Sequence, residues 1–324
     1  MTRTVLLIGP KFFGYASTIV SQLNSQGINA VFIDERGSNN FFHKAIYRSG
    51  FLTNVFKFMI TRRRRQLYKE IEKHCPTDVI FISPEYMCHD DFYHIQKSGR
   101  KIALYMWDSF ANKPAALNFR HKFDRCMSFD FEDAEKYNIS LLNLFAEPAF
   151  FPSSSQNTAR DIDISFIGTL HSNRTKILCR LKHECIRQKY KYHIHGFYGN
   201  YYYYLRSKVF ELYKRCSIGT WNSLSKDETA NIFINSSVVL DVTHPNQNGL
   251  TSRTYEALAS GAVLLTNNKN APKFLKQYHS QIFTFDEYSL EKDLVRALSF
   301  SRKDRTSIDS SYLGLQRFCR ELLQ

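Results

Sequence analysis

Residues 244–268 read HPNQNGLTSRTYEALASGAVLLTNN. The run SVVLDV, residues 237–242, precedes them and reads as a β-strand. The strand gives way to a polar loop containing Gly249. A helix then opens at Thr251 or Ser252, carries Glu256 in its first turns, and closes at Gly261. Glycine is the residue that best tolerates a left-handed C-cap. Val263–Thr266 follows as another strand. Strand, turn, helix, strand is the repeating unit of a parallel α/β sheet.

The turn has a chemistry of its own. Backbone N–H groups of Gly249, Leu250, Thr251 and Ser252 fall at a helix N-terminus, where amides lack intrahelical partners and carry positive partial charge. Such a terminus holds phosphate oxygens. Arg253 adds a planar guanidinium suited to bidentate phosphate binding. Glu256, one turn on, is placed to accept from ribose hydroxyls. The plainer alternative is that Thr251 or Ser252 only caps the helix and Arg253 pairs with Glu256 at the surface.

Upstream, residues 166–174 read FIGTLHSNR. A strand meets Gly168, then a polar loop, then a helix from about Asn173 to Gln188. Gly168 permits close backbone approach, and Arg174 is a candidate to neutralise phosphate charge. His195-Gly196 ends the next strand, Tyr192–His195. The Tyr198–Tyr204 cluster serves either stacking on a ligand ring or packing.

The same plan begins the chain. Thr4–Ile8 (TVLLI) is a strand, Gly9 and Gly14 punctuate a turn, a helix runs through Ile19 and Leu23, and Ala30–Ile33 is the next strand. Val79–Ser83 and Ile102–Met106 continue the series. Pro148, Pro152 and Ser153–Ser155 then read as a linker. Two Rossmann-like parallel-sheet domains facing a cleft are therefore expected, residues 1–150 and 151–324, with the last helix able to pack back on the first. Ligands in such sheets bind outside the strands' carboxyl ends. Trp107-Asp108-Ser109 directly follows Ile102–Met106, and Asp130 follows Arg125–Phe129. Asp108 and Asp130 are thus rival candidates for a base that accepts a hydroxyl proton, and either also suits a helix cap.

Composition narrows the partners. The 324 residues carry a formal net charge of +14, and 43% are hydrophobic, enough for two cores. A basic chain suits nucleic acid, an anionic membrane face or a phosphorylated small molecule. Arg62–Arg65 follow directly on the apolar stretch Phe51–Ile60, a combination that suits an anionic bilayer surface. It equally suits a solvated helix with a buried opposite face. No apolar run reaches the ~20 residues of a membrane span, and the start reads as a strand rather than a signal peptide, so a cytoplasmic chain is expected. Seven cysteines without C-x-x-C spacing argue against a disulfide framework or a structural zinc site.

Gly249 to Gly261, GLTSRTYEALASG, resembles the donor loop of group 1 glycosyltransferases of the GT-B fold. Small bacterial polysaccharide-synthesis and CgeB-like members are the most similar. The resemblance implies that Glu256 binds the donor ribose and that the Gly168 turn, Arg174 and His195 lie beside the nucleotide. Many retaining members carry a glutamate at the position of Asn248, so donor and stereochemistry stay open. Trp107-Asp108-Ser109 and Ser128-Phe129-Asp130 also match the pattern.

The expected activity is transfer of a sugar from a nucleotide-activated donor to a glycan or lipid-linked acceptor in bacterial surface polysaccharide synthesis. No cofactor is expected, and no metal, because no D-x-D triplet follows a strand where one is needed. A non-catalytic sugar- or nucleotide-binding protein of the same fold is the main alternative. A nucleic-acid partner is not expected, since no binding motif appears. Gly9 and Gly14 do not make G-x-G-x-x-G, which counts against a dehydrogenase despite Asp34 at the end of the second strand.

Overall fold

The computed structural model describes residues 3–11, 14–38, 46, 50–96, 99–153, 160–170, 174–198, 216, 218–244, 248–301 and 308–324. Residues 171–173 and 245–247 and the tyrosines at 201–204 lie outside the described residues. The chain divides into two units, Met1–Leu144 with Leu315–Gln324, and Phe145–Gly314.

In the first unit Val5–Ile8 are fully buried, which is why β1 (Thr4–Gly9) reads as an unbroken apolar run. Helix α1 (Tyr15–Ser25) leads to β2 (Asn29–Asp34). Then come α2 (Gly50–Val55), α3 (Lys57–His74), β3 (Asp78–Ile82), α4 (His89–Gln96) and β4 (Lys101–Met106). Strand β5 (Arg125–Ser128), α5 (Phe131–Tyr137) and the short β6 (Ser140–Leu141) complete this stretch. All strands pair in parallel in the order β2-β1-β3-β4-β5-β6. The order reverses between β1 and β3. There Gly9 is obligatory, because a Cβ would lie 2.3 Å from the Ile82 carbonyl oxygen.

A network of buried charge sits just beyond these strand ends. Arg36 Nε donates to Glu85 at 2.7 Å, and Lys113 also pairs with Glu85. The Glu85 amide donates to Glu35 at 2.6 Å, and Arg64 Nε donates to Asp91 at 2.9 Å. The Arg62–Arg65 run is therefore not one surface feature. Helical periodicity turns Arg64 into the core while Arg62 and Arg65 face solvent. Burial pushes the Glu35 carboxyl up to about 7, against the pull of Arg64. A carboxyl raised on folding stabilises fully below its unfolded value, and that contribution is lost as pH rises through about 7. Melting temperatures at pH 5.5 and 8 should therefore differ less for Glu35→Gln than for the parent chain. Equal pH dependence would show that Glu35 is not the titrating group.

The second unit opens with Pro148–Phe150. Far from being slack linker, this turn seats Phe150 against Phe233, ring centroids 5.8 Å apart. Next are β7 (Ile162–Thr169), α6 (Arg174–Gln188), β8 (Tyr192–Phe197) and β9 (Gly219–Thr220). Helix α7 (Lys226–Ile234), β10 (Ser236–Asp241), α8 (Ser252–Ala259) and β11 (Val263–Thr266) follow, then β12 (Ile282–Thr284) and α9 (Leu290–Ser301). The parallel order is β12-β11-β10-β7-β8-β9, the doubly wound arrangement, with its switch point between β7 and β10. Cys179 on α6 and Cys216 form a disulfide, with Cα atoms 5.9 Å apart. The expectation of unpaired thiols throughout is corrected. The 37-residue separation carries no local signal, and only the fold brings the pair together.

Helix α10 (Leu315–Leu322) belongs to the first unit. Phe318 meets Tyr105 edge-on at 5.2 Å, and Arg317 donates to the carbonyls of Asn143 and Leu144. Among the described residues no helix is long and apolar enough to cross a membrane.

Candidate donor site

The carboxyl ends of β7 and β10 flank the switch point, the position where open α/β sheets take ligands. Asp241 ends β10 and is fully buried. It accepts from the hydroxyls of Thr251 and Thr254, each at 2.9 Å, and from Arg253 Nη1 at 3.2 Å. A buried carboxylate needs such partners to remain in the core. Thr251 is thereby diverted. It occupies the N-cap position of α8, yet its hydroxyl makes no capping bond there. The plain capping role open to Thr251 in the sequence is not the one observed. Leu250 is buried and anchors the loop ahead of the helix.

Arg253 is the centre of the site. Its guanidinium lies 5.2 Å over the Phe166 ring and against Gly168, where a Cβ would come within 2.4 Å of Nη2. That close approach is the physical reason for glycine at the β7 turn. Arg174 stands beside it, buried, with Nε donating to the Val242 carbonyl at 2.7 Å and Nη1 to the Thr169 carbonyl at 2.9 Å. It clamps the end of β10 to the β7 turn. Burial, and then the charge of Arg253, push its pKa down to about 9, against the pull of Asp241. Asp241 pairs with Arg253 alone while Arg174 is spent on backbone carbonyls, so two guanidinia face one buried carboxylate and the surplus positive charge favours an anion.

The loop before α8 is held from β11. Asn268 Nδ2 donates to the carbonyls of Asn248 and Gly249 at 3.3 and 3.2 Å. Asn267 Oδ1 accepts from the amide and hydroxyl of Thr243 at 2.8 and 2.9 Å. Glu256 lies one turn into α8 and is largely buried. Ser252 begins that helix. His195 lies on β8 opposite Ile167 of β7, and its Nε2 is 2.8 Å from the Asn222 carbonyl oxygen, in the loop after β9 that carries the half-exposed Trp221.

Asp241, Asn267 and Asn268 join the candidate site in the structure without having been singled out as candidates from the sequence. An aspartate at the end of an otherwise apolar strand was the available signal for the first. The Asn pair directly after β11 was the signal for the others.

In the first unit Asp108 follows β4 and is half-buried. Its Oδ1 accepts from the Ser109 amide at 3.1 Å and from Asn112 Nδ2 at 3.0 Å. The neighbouring Trp107 amide donates to Ser83 Oγ at 2.9 Å, and its ring lies edge-on to Tyr15. Ser83 holds a left-handed backbone, φ 40°, a strained conformation for a residue with a Cβ. Asp130 is buried and caps α5, accepting from the amides of Glu132 and Asp133 at 3.1 and 3.3 Å. Among the described residues no three His, Cys, Asp or Glu side chains gather as metal ligands.

Residues 174–318 match the model of a family described as glycosyl transferase-like. No curated protein sequence matches the chain. Solved structures share the fold over nearly the whole length. The UDP-GlcNAc 2-epimerase of Methanocaldococcus jannaschii is 14% identical, with 100% of this chain and 99% of that chain covered and a TM-score of 0.58. A glycosyltransferase from Rickettsia africae is 9% identical, with coverages of 99% and 97% and a TM-score of 0.58. The HepE protein of Anabaena, solved in complex with UDP, is 9% identical, with coverages of 99% and 98% and a TM-score of 0.62. The chain resembles GT-B glycosyltransferases and has their two-domain α/β fold.

Proposed function

We propose that the protein transfers a sugar from a nucleoside diphosphate donor to a glycan or lipid-linked acceptor, without a metal ion. One observation carries the reading: two guanidinia stand at the β7–β10 switch point beside the start of α8, Arg253 paired with the buried Asp241 and Arg174 held by the Val242 and Thr169 carbonyls. A diphosphate there meets surplus positive charge and the positive end of the helix dipole. Glu256, one turn on, is the proposed ribose acceptor, with His195 and Asn248 at the margins of the donor. When the glycosidic bond breaks, charge grows on the leaving diphosphate. Arg253 and the helix terminus stabilise it, as a metal does elsewhere. UDP is the first nucleotide to test, because the Anabaena structure of this fold is a UDP complex.

The second unit is then the donor domain and the first the acceptor domain. Asp108 is the proposed base for the acceptor hydroxyl, since Asp130 is committed to capping α5. The proposed setting is bacterial surface polysaccharide assembly in the cytoplasm, with the enzyme peripheral at the inner membrane face where a lipid-linked acceptor is presented. A non-catalytic nucleotide-binding protein and a sugar epimerase share the donor site. The fold alone admits the epimerase, since the Methanocaldococcus neighbour is one.

The test is a metal-free thermal-shift screen against UDP, GDP, CMP, dTDP and ADP. A nucleotide at ~100 times its Kd adds ~2.7 kcal/mol to stability. One nucleotide should raise the melting temperature, and Glu256→Ala should lose that shift. Asp108→Ala should keep the shift and lose turnover. No shift with any nucleotide would overturn the reading. Epimerised donor formed without acceptor would replace transfer by epimerisation.

A further inference from the structure

We infer that α2 and the exposed face of α3 form a docking surface for an anionic phospholipid bilayer, with an arginine-lined pocket at its base for a headgroup phosphate. Three observations in the first unit carry this. Phe51, Val55 and Phe58 are 76%, 59% and 77% exposed, and Met59 is exposed beside them. Exposed apolar side chains are ordinary when scattered singly, but four within nine residues make a patch that marks an interaction surface.

The second observation is charge. Helix α3 buries Ile60, Arg64, Leu67 and Ile71. Arg62, Arg65, Lys69 and Lys73 follow one another at spacings of three and four on the opposite side, and all are exposed. They form a line about 16 Å long, from a rise of about 1.5 Å per residue. The nearby carboxylates do not cancel it, since Glu70 is engaged by Arg63 and Glu72 by Arg100.

The third is a cavity of about 260 Å³ whose walls include Arg36, Phe58, Met59, Arg62 and Arg63. Arg63 is engaged by Glu70 and the Asp34 carbonyl, so the exposed Arg62 is the guanidinium this cavity presents. The pocket thus combines apolar walls with a guanidinium donor, as a phosphodiester at the head of acyl chains requires. An apolar ridge beside a cationic line fits a bilayer, where the ridge enters the acyl boundary and the cations meet anionic headgroups. A nucleic-acid backbone would use the cations and leave Val55 and Met59 without a role.

The inference deepens the reading of a membrane-presented acceptor without needing catalysis. Its test is sedimentation of the full chain with phosphatidylcholine vesicles, with and without phosphatidylglycerol, at about 0.15 M salt. Binding is expected only to the anionic vesicles. Phe51→Ser with Phe58→Ser should weaken it by about tenfold or more. Arg62→Gln with Arg65→Gln should weaken it by a factor on the order of ten. Melting temperatures equal to the parent's identify the variants as folded, because these side chains are exposed. Equal binding to neutral vesicles, or parental binding by both folded double variants, would overturn the docking surface. So would random duplex DNA that displaces the vesicles and binds the serine variant undiminished. Vesicle binding as expected, with no nucleotide shift, would sustain the docking surface and remove the transferase reading.

Discussion

Arg253→Ala is expected to weaken nucleoside diphosphate binding by roughly 100-fold in calorimetric titration. A charge-assisted hydrogen bond is worth about 1.5–3 kcal/mol, and a guanidinium offers two to a phosphate. The substitution also leaves Asp241 without its guanidinium partner, so an uncompensated negative charge then faces the incoming anion. Both effects act in one direction. Arg253→Lys keeps the charge but loses the planar fork, and Lys cannot reproduce the flat stacking over Phe166. It should fall between the two. An affinity within threefold of the parent for the alanine variant would remove Arg253 from the donor site.

The largest expected stability effect is at Asp241. Three donors converge on it: Thr251, Thr254 and Arg253. Asp241→Ala strands the buried Thr254 hydroxyl, the half-buried Thr251 hydroxyl and a largely buried guanidinium at once. Removing one partner of a buried ion pair costs about 3–5 kcal/mol. For a unit of this size each kcal/mol corresponds to ~2–4 °C, so the melting temperature should fall by about 10 °C in scanning calorimetry. Asp241→Asn keeps the shape and one acceptor oxygen, and should cost less. A fall under 2 °C for the alanine variant would show that Asp241 does not organise the site.

The two predictions rest on residues of different legibility. Val5–Ile8 and Val238–Leu240 were readable as strand cores because parallel strands covered on both faces are apolar without interruption. The α8 segment was readable because its glycine stop, its start and its charges are local. Arg253 was recognisable as a cation near a helix start, but its seat on Gly168 and Phe166 depends on β7, about eighty residues earlier in the chain. Asp241 was absorbed into a strand because nothing local marks a carboxylate that threonines ten and thirteen residues later will solvate.

Other features were hidden for the same reason. Arg174 was legible as a cation at the helix start after the Gly168 turn, but its bonds to two carbonyls, which only the sheet places within reach, were not. The position of His195 at a strand end was legible. Its carbonyl partner 27 residues on was not. Helix α3 went unread as a long helix because its buried face includes Arg64, which a binary apolar pattern scores as surface. The Cys179–Cys216 pair is likewise tertiary in origin.

The placement of α10 bears on how the protein is made. Residues 315–322 fill a place in the unit that begins at the other end of the chain, with Phe318 against Tyr105 and Arg125 donating to the Glu321 carbonyl. A ribosome delivers residues in order, and domains tend to fold as they emerge. Here the first unit has its six strands by Leu141 but receives this helix only after the whole of Phe145–Gly314 has been made. The Tyr105 surface of the first unit therefore stays without Phe318 throughout the synthesis of the second.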